Sequence, residues 1–420
     1  METIYSKIAW RIIPFMGLMY VVNFLDRANV SFAALTMNAD LGLSAEAFGI
    51  GAGIFFIGYF FFEVPSNLIL EKVGTKLWMF RIMFTWGLIS MAMAFAQGPL
   101  SYYTLRFLLG VAEAGFFPGM MLYLTYWFPQ SQRAKFNGLF FAAIPLSSAL
   151  GSPLSGYILG FDGAWGLRGW QWLFLIEGLP SCLLAFAVLV VLPNGPQAAK
   201  FLTADEKSRV QQALRHEAPQ HAGLWAALSN WRVWVLAISD IGIVLPLYGL
   251  GLWMPQIVKA LGYSNLQTGF VVSIPYIVST IAMVFWARSS DRHNERPFHI
   301  ALPCLFAAAG LVGAALLGGN VVILFALTCA SAGIYAALVT YWTLPPSFLG
   351  GTAAAGGIAL INAVGNLGGF IGPTLMGWLK HSTGGYSAGL LSLAGFLLMP
   401  ALVVLVLGRV RALALAPGSR

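Results

Sequence analysis

Residues 8–37 read IAWRIIPFMGLMYVVNFLDRANVSFAALTM, with Arg11, Asp26 and Arg27 the only charges among them. A helix needs roughly 20 mostly apolar residues to cross the hydrocarbon core of a bilayer, so this stretch is long enough to span one. Eleven more apolar stretches follow, at 46–68, 78–97, 101–127, 136–160, 170–193, 231–258, 266–287, 298–318, 321–344, 353–380 and 386–408. With 59% hydrophobic residues, 9% charged residues and a mean hydropathy of +0.78, the chain has too few charges to clothe a water-soluble surface. The expectation is an all-α integral membrane protein of twelve transmembrane helices without a sizeable soluble domain.

The chain opens METIYSKIAWRIIPF and enters its first span without a small-residue cleavage pattern, so that helix is read as retained rather than as a signal peptide. Cys182, Cys304 and Cys329 lie in apolar stretches with no metal-ligand spacing, and are read as packing residues. The net charge of +8 is spread over short loops, which excludes a nucleic-acid surface and reports topology instead. With a cytoplasmic N-terminus, most of the 23 Lys and Arg residues fall on the cytoplasmic side, and only Arg168, Lys259 and Lys380 on the other. The positive-inside rule then sets both termini in the cytoplasm of a cell inner membrane. The polar stretch 194–230, containing TADEKSRVQQALRHE, reads as a cytoplasmic linker with a short amphipathic helix between six-helix bundles at 1–193 and 231–420.

Asp26 and Arg27 in the first span, and Arg106 and Glu113 in the fourth, lie deep in apolar sequence. Each costs roughly 2.5–3.5 kcal/mol at a helix centre, which makes them the leading functional residues. Arg106 and Glu113 are two helical turns apart and share a face with Gly110 between them. Counted from the span midpoints, Asp26, Arg27 and Glu113 reach similar depth. Arginine forks grip carboxylates, so Arg27 and Arg106 suit an anionic substrate, while Asp26 and Glu113 compete for the same guanidinium groups. Protonating either acid frees an arginine, and proton and anion binding become coupled. No histidine among 216, 221, 293, 299 and 381 sits at a span middle, leaving carboxylates as the proton carriers. The opposing reading is a buried ion-pair lattice that only holds the first and fourth spans together.

The two halves echo one another at Glu71, Lys72, Gly74 and Lys76 and at Ser290, Asp291, Arg292 and Arg296, as expected of a transporter built from repeats. These charges either latch neighbouring helices or are solvated loop residues that signal topology. The echo resembles a degenerate loop signature of the major facilitator superfamily, with Asn67 at the usual glycine and Glu71-Lys72 in place of Asp-Arg. DRANVSFA at 26–33, FFEVPSNLILEKVG at 61–74, RFLLGVAEAGFFPG at 106–119, GWQWLFLIEG at 169–178 and YWTLPPSFLGGTAAAGGIALINAVGNLGGFIGP at 341–373 resemble the anion:cation symporter family within it. The resemblance implies the major facilitator fold, alternating access and proton-driven uptake of carboxylates such as tartrate, sugar acids, phthalate or hydroxyphenylacetate. An uncoupled facilitator or anion exchanger is the alternative.

The resemblance also implies functional roles for Asp26, Arg27, Arg106 and Glu113, and matches Tyr59 to a cavity tyrosine; on its own, Tyr59 in FFIGYFFFE reads equally as packing. Arg27, Arg106, Tyr59, Asn23, Asn362, Asn366 and Tyr248 are the expected substrate contacts, and Asp26 and Glu113 the proton-coupling acids. Glu63, Glu71, Lys72, Asp291 and Arg292 are the expected gating residues, although Glu63 also reads as a helix-end acid within reach of water or the loop lysines. Trp253 and Tyr335 read either as packing or as substrate contacts, and Glu177 and Asp240 are assigned neither role. The expected partners are a small organic anion, protons and the bilayer, with no cofactor, no metal, no enzymatic chemistry and a monomeric state.

Overall fold

The computed structural model describes residues 2–215, 228–345 and 352–409, the side chains of 130–139, 215, 352–356 and 407–409 aside. His216 and His221 lie outside the described residues. Among those described there are fourteen α-helices of ten residues or more: α1 Glu2–Asp40, α2 Ala45–Val73, α3 Thr75–Ala92, α4 Pro99–Glu113, α5 Phe116–Thr125, α6 Gln130–Ile158, α7 Gly169–Val191, α8 Ala204–Arg215, α9 Trp231–Lys259, α10 Asn265–His293, α11 Pro297–Leu316, α12 Asn320–Tyr341, α13 Thr352–Thr383 and α14 Ser387–Arg409. Eleven spans among the described residues have the length and apolarity to cross a bilayer. The fifth expected span is α6, a helix of 29 residues whose first ten side chains lie outside the described residues.

The same pairings recur in each half. α2 packs on α4 as α10 packs on α12, α3 on α7 as α11 on α14, and α1 on α6 as α9 on α13. Local sequence repeats too, since Leu41-Gly42-Leu43-Ser44 before α2 and Leu261-Gly262-Tyr263-Ser264 before α10 are both left-handed glycine turns closed by a serine N-cap. Ser44 accepts from the Ala47 amide and Ser264 from the Gln267 amide. Only the glycines at φ +63° and +97° allow so tight a reversal without strain.

The halves meet along α2 with α13 and α6 with α10. Toward the end carrying the α1–α2 turn, here the turn end, these are contacts of backbone on backbone. A Cβ at Gly49 would stand 2.5 Å from the Pro373 carbonyl oxygen, and one at Gly269 would stand 2.5 Å from the Ser152 carbonyl oxygen. Toward the other end, here the linker end, side chains make the seam: Glu63 meets Asn362, and the rings of Phe141 and Trp342 lie 6.4 Å apart.

The fourth expected span, 101–127, is not one helix. α4 stops at Glu113, Gly115 turns left-handed at φ +85°, and α5 begins at Phe116. Ser66 of α2 occupies the place a Cβ on residue 115 would take, so only glycine makes this break. The break falls directly after one of the four deep charges.

Helix α8 lies within the polar stretch 194–230. Thr203 and Glu206 cap it reciprocally, with the Thr203 amide donating to Glu206 at 2.8 Å and the Glu206 amide to Thr203 Oγ1 at 3.2 Å. Lys7 of α1 donates to Glu206 at 2.9 Å, and Asn194 accepts from the Lys76 amide in the α2–α3 turn. The Thr203 amide, followed by Lys7, holds the Glu206 carboxyl below its usual range. A depressed carboxyl stabilises above its unfolded value and ceases to do so as the pH falls through the folded one. Glu206→Gln is therefore expected to speed amide exchange across α8 at neutral pH, and the wild type to approach the variant in acid; hydrogen exchange of the 204–215 segment checks both.

Candidate functional site

At the centre of the molecule α1 presents Tyr20, Asn23, Phe24 and Arg27 along one stripe, at the three- and four-residue spacing that shares a helix face. Arg27 Nε donates to Glu113 Oε1 of α4 in an ion pair. Arg27 Nη1 donates at 3.1 Å to the Tyr248 hydroxyl of α9, in the other half of the chain. Three rings surround the guanidinium, Phe24 and Phe55 at 5.3 Å and Tyr59 at 5.1 Å from its carbon. Such a cage attracts a cation and keeps water off it, which strengthens whatever hydrogen bonds the guanidinium makes.

Two features of this cluster are unfinished. Glu113 is 1% exposed and its Oε2 has no partner. Asn23, one turn from Arg27 and also 1% exposed, has neither its amide nitrogen nor its oxygen paired. A buried amide left without hydrogen bonds costs several kcal/mol on apolar-transfer scales. Arg27 itself keeps 13% side-chain exposure, more than its partner Glu113.

Arg106 does not join the pair. Its Nη2 donates to the Ala52 carbonyl at 2.9 Å and its Nε to the Gly51 carbonyl at 3.3 Å, so it ties α4 to the backbone of α2. Its Nη1 is buried without a partner, and its guanidinium lies 5.0 Å from the Phe55 ring that Arg27 also contacts. Phe55 thus stands between two cations.

Asp26 was expected to compete for the guanidinium groups and instead points elsewhere. Its Oδ2 accepts from Ser181 Oγ at 2.5 Å and Trp86 Nε1 at 2.7 Å, and its Oδ1 from Ser90 Oγ at 2.8 Å and Asn29 Nδ2 at 3.3 Å. The reason is elementary, because neighbours in a helix diverge by about 100° and Asp26 and Arg27 must serve different faces. Asp26 faces α3 and α7, whereas Arg27 faces α2 and α4 and reaches Tyr248 of the other half.

Glu63 is likewise no helix-end acid in water. It is 5% exposed, accepts from Asn362 Nδ2 of α13 at 2.9 Å, and leaves Oε2 unpaired. Asn366, one turn along α13, shares the Asn362 face and is half-buried. Trp253 is spent on the Pro373 carbonyl at 3.1 Å, and Tyr335 packs edge-on against Tyr276. Glu177 accepts from Ser155 at 2.7 Å, and Asp240 is buried against Gly365, each with one oxygen unpaired. At the linker end Asp291 pairs with Arg296 at 2.7 Å, across the turn from α10 to α11, while Arg292, Glu71 and Lys72 are exposed and make no ion pair among the described residues. Sequence reasoning did not single out Phe24 and Phe55; their spacing to Arg27 and Tyr59 on α1 and α2 was the available signal.

Long apolar helices arranged in two repeated halves, with a half-buried arginine bonded to both, are what a membrane carrier of a polar solute requires. The chain belongs to the Major Facilitator Superfamily, whose family model matches residues 16–373. It is 51% identical over 407 residues, 96% of this chain and 91% of the relative, to a protein of Agrobacterium vitis named "Putative tartrate transporter". A quinolone resistance transporter of Acinetobacter baumannii is 44% identical over 395 residues, covering 93% of this chain and 91% of that one. In fold, the chain is similar to the crystal structure of a bacterial homolog of the human lysosomal transporter Spinster, inward-facing and occupied, with a TM-score of 0.79 at 15% identity and coverage of 97% and 98%. The protein is a multi-pass membrane transporter of a small organic solute, not an enzyme, and its relatives are those expected from the resemblance to the anion:cation symporter family.

Proposed function

We infer that the protein carries a small organic carboxylate into the cell together with a proton, by alternating access at a site centred on Arg27. The observation that carries this reading is the Arg27 guanidinium, caged by aromatic rings, bonded to Glu113 on one side and to Tyr248 of the opposite half on the other. A proton placed on the unpaired oxygen of Glu113 discharges the acid and releases the Nε edge of Arg27 to a substrate carboxylate. Asn23 completes its hydrogen bonds on the bound anion, and Tyr59, Tyr248 and Asn366 line the rest. Arg106, with one donor to spare, is a second anchor for a doubly charged anion. Asp26 takes part in coupling through α3 and α7, where three of its four donors, Trp86, Ser90 and Ser181, make it sensitive to how those helices pack.

In this reading residues 1–193 and 231–420 rock as two bodies joined by the 194–230 linker. Both termini face the cytoplasm of an inner membrane, and the working unit is a monomer. The relative named for tartrate supports an anionic cargo. Liposomes holding a pH dye are the test: an inward gradient of a transported carboxylate is expected to acidify the lumen, with tartrate and sugar acids tried first. Anion entry without acidification would make the protein a facilitator or exchanger, and no entry of any carboxylate tried would remove the substrate class.

A further inference from the structure

The seam between the halves holds a carboxyl group that the Arg27 cluster does not use. Glu63 of α2 and Asn362 of α13 meet across it at 2.9 Å, toward the linker end, where side chains rather than backbone close the contact. Glu63 is buried, and among the described residues the only hydrogen bond to its carboxyl group comes from a neutral amide, while its second oxygen is buried without a partner there.

No cation pairs with this carboxyl group among the described residues. α13 brings Asn362 and Asn366, both neutral. α1 brings Arg27, already bonded to Glu113 and Tyr248, and α4 brings Arg106, bonded to the Gly51 and Ala52 carbonyls. α3 brings Arg81, which lies over Trp78 at 4.7 Å, and Lys76 in its first turn. α5 carries no charged residue. On α2 itself Tyr59 stands one turn before Glu63, and Glu71 and Lys72 lie two turns beyond it in the exposed last turn.

We propose that Glu63 is a proton-binding site built into this seam, holding its proton while the linker end is closed and releasing it when that end opens to water. The physical reason is the cost of enclosing an unpaired charge within a span, which favours the neutral acid as long as Asn362 covers it. Once the halves part, water solvates the carboxylate and the penalty to ionisation disappears. Re-closure then requires a proton from the side just opened, so opening at the linker end becomes more favourable as the pH there rises. This site deepens the alternating-access reading and rests on it, yet it is separable from Arg27 and Glu113 because it needs no substrate.

Hydrogen exchange of the intact protein without substrate, corrected for the intrinsic rate at about pH 5.5 and about pH 8, reads the opening directly. At the higher pH the linker-end segments of α2 and α13 are expected to exchange at least about threefold faster in the wild type. Glu63→Gln, which still accepts from Asn362 but cannot ionise, is expected to exchange slowly at both values, whereas Glu113→Gln retains the pH dependence. A glutamine variant that follows the wild-type profile overturns the proposal. So does a wild type whose corrected exchange is flat across the range, a result that stands even if the variant does not fold. Loss of the dependence in Glu113→Gln would reassign it to the central pair and overturn the proposal equally, whatever the liposome assay shows about the cargo.

Discussion

Arg27→Lys is expected to raise the carboxylate concentration for half-maximal uptake by at least about tenfold, which corresponds to roughly 1.4 kcal/mol of binding. The substitution keeps the charge beside Glu113 and the aromatic cage but replaces a planar fork of five donors by a compact ammonium with three. Arg27 divides its donors between Glu113 and Tyr248, and the Nε edge that a protonated Glu113 releases must grip the substrate in a fixed plane. An ammonium on a flexible stem cannot serve three partners at these angles, and each lost charge-assisted hydrogen bond costs roughly 1.5–3 kcal/mol. Arg27→Ala is the less informative change, since it leaves Glu113 charged and buried without its partner, a loss of roughly 3–5 kcal/mol that threatens the fold itself. Binding of a radiolabelled carboxylate to the purified lysine variant checks the prediction, and wild-type affinity would remove Arg27 from the substrate site.

The second large effect concerns Glu113→Gln. The amide retains the size of the side chain and an oxygen that accepts from Arg27 Nε, so the local packing is conserved. It loses the ability to trade a proton for the ion pair. For one proton carried with one singly charged anion, the wild type accumulates substrate roughly tenfold per unit of pH gradient at equilibrium. The variant is expected to reach only the external concentration and to leave the lumen unacidified, while exchange of internal for external substrate continues. Accumulation that survives in Glu113→Gln would transfer coupling to Asp26 or Glu63.

How far the sequence anticipated this molecule follows from what each level of structure depends on. The spans were legible because a bilayer requires long apolar helices with every backbone group satisfied internally, and that requirement is written directly in composition. The union of Arg27, Glu113 and Tyr248 was legible in part, since deep charges are costly and few and must find one another. The contact of Arg106 with α2 was not, because an arginine arm is long enough to leave the stripe on which its Cα lies. The divergence of Asp26 from Arg27 was available from the 100° step alone. The break after Glu113 was signalled only by Gly115 and Pro118, residues that also occur in continuous transmembrane helices. The burial of Glu63 depends on α13 crossing α2, a tertiary fact with no local trace.

The two ends of the seam between the halves are built of different material, and this sets how each of them yields. At the turn end, Gly49 and Gly269 lie against main chain that has no rotamers with which to follow a retreating partner. Dispersion between such surfaces fades within about an ångström, so this joint behaves as a snap fastener, either engaged along its length or released. At the linker end, Glu63, Asn362, Phe141 and Trp342 have arms that can extend and swing before contact is lost. One joint is therefore digital and the other analogue, and a carrier with this pairing commits abruptly on one side of the membrane while it can be tuned, residue by residue, on the other.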